Sequence, residues 1–347
     1  MTDISKPRPK HGGDLSCLRY ERDLQGSILD LSSAVNPFAY DKLDNEPEQW
    51  KSLPNISPSL KERVAQYYDN ENFLLTPGSQ WAIEYLPKLF KQQLDKSLSV
   101  AVPSEGYAEH RYHWQKVDAR LYEYDVLASN ELIEAVDICV VINPNNPSGD
   151  FLTAKEIITL AERMTAAGKW MIIDEAFVDF HHEFSVSSYV GKPGLENLIV
   201  LRSFGKFSGL PGARIGAVGV STQLRHVVKS DIPLWGISGP SLTLFERVVA
   251  DQAWLRSACE EVTVWSRKLD VVLRRYFSDV NSAVKLFSII RTPDALIIFE
   301  RLLSDGVYVR LLDNGLGLRV SVPKNEAELN YLETALARAF NREDISA

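Results

Sequence analysis

Cysteine is scarce in this 347-residue chain: Cys17, Cys139 and Cys259 stand far apart, odd in number and without a CxxC pair. That excludes a disulfide framework and gives the cytoplasm as the expected location. Positive charge is also in deficit, with 38 Lys and Arg against 46 Asp and Glu and a net charge of −8. A nucleic-acid surface needs a basic stripe to displace counterions from phosphates, so no nucleic-acid partner is expected. Long apolar runs are missing as well. None reaches the roughly 18 residues of a membrane helix, and the opening MTDISKPRPKHGG has no apolar core of signal-peptide type. A soluble, unprocessed chain with no membrane partner is the expectation, and neither an internal repeat nor a low-complexity tract is present.

What is there is an ordinary globular composition, 45% hydrophobic and 24% charged, over a length that suits a large α/β domain with a smaller one. Residues 1–50 read as an N-terminal arm joining the small lobe, 51–240 as the large domain, and 241–347 as a connecting helix and small C-terminal domain. SPSLKERVAQYY predicts a helix over 59–68, with Ser57 or Ser59 as its cap. From Phe73 the pattern becomes regular. FLLT, SVAV (99–102), DICVVI (137–142) and WMII (170–173) read as strands, with a helix over WAIEYLPKLF after the PGSQ turn. Thr153-x-x-Glu156 is a capping box, Leu152 and Ile157 its hydrophobic staple, and Gly168 the helix stop. The apolar runs 198–201 and 215–220 read as further buried strands. Strands apolar throughout and separated by helices predict a mostly parallel sheet covered on both faces. One helical region is expected over 241–276. The C-terminal piece then reads strand (284–290), helix (294–304), strand (307–311), strand (317–322) and helix (326–340), a small α+β lobe.

In open α/β sheets the ligand sits beyond the carboxyl ends of the strands, and Gly78, Asn146, Asp174 and Lys206 all fall just past such ends. SFGKFSGLPGARIG, Ser203 to Gly216, reads as a loop between two strands that offers a hydroxyl, an amine and a guanidinium, from Ser203, Lys206 and Arg214. Asp174 ends a buried strand and needs a cationic or hydrogen-bonded partner; a structural salt bridge would serve as well as a catalytic role. PGSQ (77–80) at a helix start suits a phosphate or is simply a capped helix. His110 and His113 lie one helical turn apart, yet no third ligand accompanies them at a sensible spacing, so no metal is expected.

The ordered set TPGSQ, SEGYAEH, NPNNPSG, IIDEAFVDF and SFGKFSGLPGARIG resembles the fold-type-I aminotransferase superfamily over most of the chain. Within it HGGDL, SSAVNPF, YAEH and DEAFVDF are most similar to the threonine-phosphate decarboxylases of cobalamin biosynthesis, close relatives of the histidinol-phosphate aminotransferases. The resemblance implies an α/β fold-type-I transferase fold and pyridoxal 5'-phosphate as cofactor. It implies that Lys206 carries the cofactor covalently, that Asp174 pairs with its ring nitrogen, and that Asn146 bonds its ring hydroxyl oxygen. His110 is expected on the ring face with Tyr107 beside it. Gly78, Ser79, Gln80, Ser203 and Arg214 are expected around the cofactor phosphate. His11, Asn36, Asn146, Arg310 and Arg319 are expected to hold a small phosphorylated amino-acid substrate, Arg319 by its carboxylate and Arg310 by its phosphate. A homodimer is implied too.

Two positions depart from the family pattern. Where relatives often carry Tyr after DEA and before the Pro of a YP pair, this chain has Phe177 and Leu53, neither of which can donate a hydrogen bond. The leading expectation is decarboxylation of L-threonine O-3-phosphate. The alternatives are transamination of histidinol phosphate or a related amine, and a non-catalytic binding protein that keeps the fold.

Overall fold

The computed structural model describes residues 8–9, 11–22, 26–43 and 48–341. The rest of the expected N-terminal arm, and the last six residues, lie outside them. The chain divides into two compact units, Met1–Pro9 with Tyr40–Leu255 and Lys10–Ala39 with Arg256–Ala347. This division differs from the expected boundaries at 50 and 240.

The first unit is built on a seven-stranded sheet of β1 (Phe73–Thr76), β2 (Ser99–Pro103), β3 (Arg120–Tyr124), β4 (Ile138–Ile142), β5 (Trp170–Asp174), β6 (Leu198–Ser203) and β7 (Gly216–Gly219). The order is β1-β7-β6-β5-β4-β2-β3, and β7 alone runs against its neighbours. β3 is a strand that the sequence pattern misses: ARLYEY mixes charge with aromatics because its outer residues stay exposed at the sheet edge. Alternate residues of the central strands bury on opposite faces, Val141, Ile173 and Val200 in one cluster and Val140, Ile172 and Leu201 in another. Successive strand side chains point to opposite faces, so strands apolar at every position need cover on both.

Local signals set the flanking helices. Ser57 caps Pro58–Tyr68, its side chain accepting from the Leu60 N–H. Thr153 and Glu156 form the complete capping box of Ala154–Ala166, and Leu152 and Ile157 bury in one cluster. The helical region expected as one run is two helices, Gly239–Ala250 and Gln252–Leu273. Asp251 breaks it, out of helical backbone at φ −83°, ψ 76°, with its side chain accepting from the Trp254 N–H at 3.0 Å.

The second unit holds an antiparallel sheet in the order Arg310–Leu311, Gly317–Ser321, Phe287–Arg291, Val280–Asn281. A two-residue parallel pair joins Leu29–Asp30 to Val307–Tyr308. The strand expected over 307–311 is therefore two short pieces serving different sheets. Helices Ala295–Ser304 and Glu326–Phe340 contribute Ile298, Leu302, Leu332 and Leu336 to the core of this unit.

Candidate active site

The carboxyl ends of β1, β4, β5 and β6 meet at one edge of the sheet, and the reversed β7 brings its first residues to the same edge. A cavity of about 140 Å³ opens there. Ser79, Gln80 and Arg214 line one end, with Asn146, Asp174, Ser203 and Lys206 around the remainder. Tyr107, Ile142, Ala176 and Phe177 complete much of the wall. Ile142 and Ala176 were not legible as site residues, since an apolar residue at a strand end looks the same in a core.

Lys206 sits on a one-turn helix, Phe204–Ser208, and not on a loop. Phe204 and Phe207, three apart, bury together while Phe204 packs on Phe245 and Phe207 on Phe180, with ring centroids 5.1 and 4.8 Å apart. The Ser208 hydroxyl donates to the Phe204 carbonyl at 2.9 Å. With that side anchored, Lys206 is left on another, its Nζ 5.7 Å from the centre of the Phe177 ring. Phe177 gives this wall an apolar plate without a donor.

Helix Ser79–Leu94 begins at the cavity and no side chain caps it. Its first turn carries the positive dipole end, and while the Trp81 N–H turns to the Gly78 carbonyl at 3.3 Å, the Ser79 and Gln80 N–H groups precede the first intrahelical bond. Gly78 has φ 75°, and a Cβ there would lie 3.0 Å from Arg214 Nη2. Gly216 is forced more strictly, since its Cβ would fall 2.2 Å from the Ser79 nitrogen. The two glycines let β7, the helix start and the Arg214 guanidinium pack together as an anion cradle.

Asp174, buried at the end of β5, has its Oδ2 2.9 Å from His110 Nε2, and its Oδ1 accepts from the Ala176 N–H at 3.0 Å. His110 was expected on the face of a bound ring. It is instead buried behind Asp174 and is not among the residues lining the cavity, because its helix, Ala108–Gln115, turns the imidazole toward the carboxylate. Tyr107, just before that helix, stands in the wall, and burial raises its phenol well above the usual value, leaving it a neutral donor.

The salt bridge considered for Asp174 belongs to its neighbours. Arg202, buried within β6, pairs with Glu175 and Asp179, and Tyr67 donates to Asp179 at 2.9 Å. Sequence spacing gave no signal for Arg202, which sits among apolar residues in β6.

The remaining expected residues lie in the second unit. Arg310 and Arg319 are cross-strand partners. Arg319 is buried and donates to the Ser32 carbonyl, while Arg310 pairs with Asp313 at 2.7 Å. Asn36 is buried, its side-chain oxygen accepting from the Phe38 N–H, and His11 is exposed.

A buried carboxylate, an amine beside an aromatic ring, an amide side chain and an uncapped helix start with a guanidinium fit a protonated heteroaromatic ring carrying a phosphate. Comparison with known proteins gives the same chemistry. The family model for aminotransferase class I and II matches residues 32–336. The chain is 31% identical over 330 residues to a threonine-phosphate decarboxylase of Pseudomonas aeruginosa, across 94% of this chain and 97% of that protein. It is 26% identical over 336 residues to an adenosylcobalamin biosynthesis bifunctional protein of Leptospira interrogans, across 89% of this chain and 38% of that one. Among solved structures, the histidinol-phosphate aminotransferase of Sinorhizobium meliloti in complex with pyridoxal-5'-phosphate matches with a TM-score of 0.81 at 20% identity, over 93% of this chain and 94% of that one. The chain therefore belongs to the aminotransferase class I and II family.

Proposed function

We propose that this chain decarboxylates L-threonine O-3-phosphate to (R)-1-aminopropan-2-yl phosphate in cobalamin biosynthesis. The observation that carries the reading is the 31% identity to a threonine-phosphate decarboxylase over nearly the full length of both chains. The chain's cofactor would be pyridoxal 5'-phosphate, which when bound would supply a conjugated ring that delocalises the electron pair left when a bond to the substrate α-carbon breaks.

The protein's own groups then divide the work. Lys206 carries the cofactor on its amine and is the group that moves a proton at the reacting carbon. Asp174, hydrogen-bonded to His110, would pair with the protonated ring nitrogen. Asn146 donates to the ring hydroxyl oxygen and borders the substrate. The backbone N–H groups of Ser79 and Gln80 at the helix start, the Ser203 hydroxyl and the Arg214 guanidinium hold the phosphate, with Gly78 giving the approach. Arg319 grips the substrate carboxylate and Arg310 its phosphate, with His11 and Asn36 beside them. Carbon dioxide leaves, and one proton replaces it at the same carbon.

Purified protein is expected to release carbon dioxide from L-threonine O-3-phosphate with no 2-oxo acid present. Amino transfer to a 2-oxo acid without that release would give the aminotransferase reading instead. Borohydride is expected to fix the cofactor to wild-type protein and not to Lys206→Ala; a cofactor adduct in the variant would refute the assignment of Lys206.

The assembly proposed is a cytoplasmic homodimer. Its support is a groove of about 860 Å³ in the first unit, lined by Ile56, Leu234 and Trp235, with Leu234 76% and Trp235 54% exposed. An apolar patch of this kind marks an interaction surface. Leu53, 66% exposed, directly precedes the lining residue Pro54 in the chain. Sedimentation showing only monomer would remove this proposal.

A further inference from the structure

Behind the anion cradle lies a group of charged side chains that the proposed reaction does not use. Glu109, on helix Ala108–Gln115, is wholly buried. Its Oε2 accepts from Gln80 Nε2 at 2.6 Å and from Arg8 Nη2 at 3.1 Å, and lies 3.1 Å from His113 Nε2. Its Oε1 accepts from Arg8 Nε at 3.2 Å. Arg8 thus meets the carboxylate through two nitrogens, the geometry that makes such pairs specific. Burial lowers the His113 imidazole below its ordinary value, and the Arg8 guanidinium is a full positive charge set against Glu109.

Glu84, Glu109 and His113 bring ligand atoms within 4.8 Å of one another, a spacing that a metal ion could use. Arg8 already pairs with both carboxylates there. The cluster is therefore better described as a hydrogen-bond network in which one guanidinium serves two carboxylates, and what it controls is Gln80.

Gln80 Nε2 donates to Glu109 and, at 3.0 Å, to Glu84. An amide has two N–H donors, and both are spent on carboxylates. Its oxygen must then face the other way, where it accepts from the Tyr107 hydroxyl at 3.3 Å. Gln80 and Tyr107 both line the cavity, and Glu109, Glu84, His113 and Arg8 do not. The Gln80 side chain consequently has no N–H for an anion in the cavity, so Gln80 serves it through the backbone. Tyr107 has its hydroxyl proton directed away from the ligand and its ring set in the wall.

We propose that Glu109 is a positioning residue for the phosphate end of the cofactor site, acting through Gln80 and Tyr107, and that Arg8 is the counter-charge that lets a buried carboxylate stand behind an anion-binding helix start. This inference rests on the assignment of the Ser79, Gln80 and Arg214 end to the cofactor phosphate. It adds Arg8 to the determinants of cofactor binding.

The test uses apoprotein and two probes, pyridoxal 5'-phosphate and pyridoxal, with affinities from equilibrium dialysis. Glu109→Gln removes the charge that orients the Gln80 amide, and Arg8→Ala leaves the carboxylate uncompensated. Both are expected to weaken the phosphorylated probe about tenfold, the scale of one hydrogen bond, and to leave pyridoxal within about twofold. Arg8→Lys keeps the charge and is expected to retain most of the wild-type preference. Equal weakening of both probes, or a lowered melting temperature with unchanged preference, would overturn the proposal by making the network merely structural. If Glu109→Gln does not fold, Arg8→Ala decides, because its side chain is 59% exposed. Wild-type apoprotein with no preference for the phosphorylated probe would overturn the phosphate-end assignment itself; a wild-type preference that both variants keep would overturn only the role of Glu109.

Discussion

Asp174 and Glu175 are neighbours in sequence and both are buried carboxyl groups, yet they belong to different parts of the molecule. Asp174 faces the cavity with His110 behind it. Glu175 faces the opposite way, accepting from the Val186 N–H at 2.6 Å, the Ser185 hydroxyl at 2.7 Å and the Ser187 hydroxyl at 3.0 Å, and pairing with Arg202. Extended backbone at the end of β5 sends successive side chains to opposite faces. One position is therefore open to a ligand and the other is sealed into a network whose donors are all supplied by the protein.

The contrast predicts a double dissociation. Glu175→Ala leaves Arg202 buried with one partner fewer, and unfolding free energy is expected to fall by about 3–5 kcal/mol, while the folded fraction still takes up cofactor. Urea unfolding and borohydride trapping check the two halves, and loss of cofactor at unchanged stability would break the comparison. Asp174→Asn should do the reverse, lowering kcat by about 10²–10³-fold with little change in urea midpoint. His110→Phe keeps the volume and removes the partner of Asp174; about a tenfold loss in kcat/KM is expected, and an unchanged value would make His110 a packing residue. Tyr67→Phe deletes the donor to Asp179 and should cost about 1 kcal/mol of stability and no activity.

Glu175 also sharpens the contrast through pH. Burial holds its carboxyl above the ordinary value, against the pull of Arg202 and the three donors. The folded state thus binds this proton more tightly than the unfolded chain does. The stability it contributes is full below the unfolded carboxyl value and fades as pH rises through the folded one. Urea midpoints should fall more steeply over that window in wild type than in Glu175→Gln, and equal slopes would refute the assignment.

Much of the fold was legible because its signals are local. The Thr153 capping box, the Ser57 cap and the fully apolar strands each state their structure within a few residues, and residues facing two buried sheet faces can only be apolar. β3 escaped because an edge strand half exposed in water needs no such pattern. The helical run over 241–276 was read as continuous because the break at Asp251 is made by a single residue whose side chain bonds a backbone N–H three positions on. Lys206 was placed in a loop because glycines dominate its surroundings. The one-turn helix is set by Phe204 and Phe207 finding partners far along the chain.

At the site, residue type was legible and direction was not. Sequence by itself determined which groups stand at strand ends: an amine at 206, carboxylates at 174 and 175, an amide at 146 and a helix start near 79, whose lack of a side-chain cap only the structure shows. A strand must end where polar residues begin, and a run of a few residues fixes that point. Only the tertiary structure decided that His110 backs Asp174 instead of lining the cavity, that Arg202 answers Glu175 and Asp179, and that Glu109 takes both Gln80 and Arg8. Each of those pairings joins residues on different elements. The geometry that selects one partner among several chemically equal ones exists only once the sheet has brought those elements together.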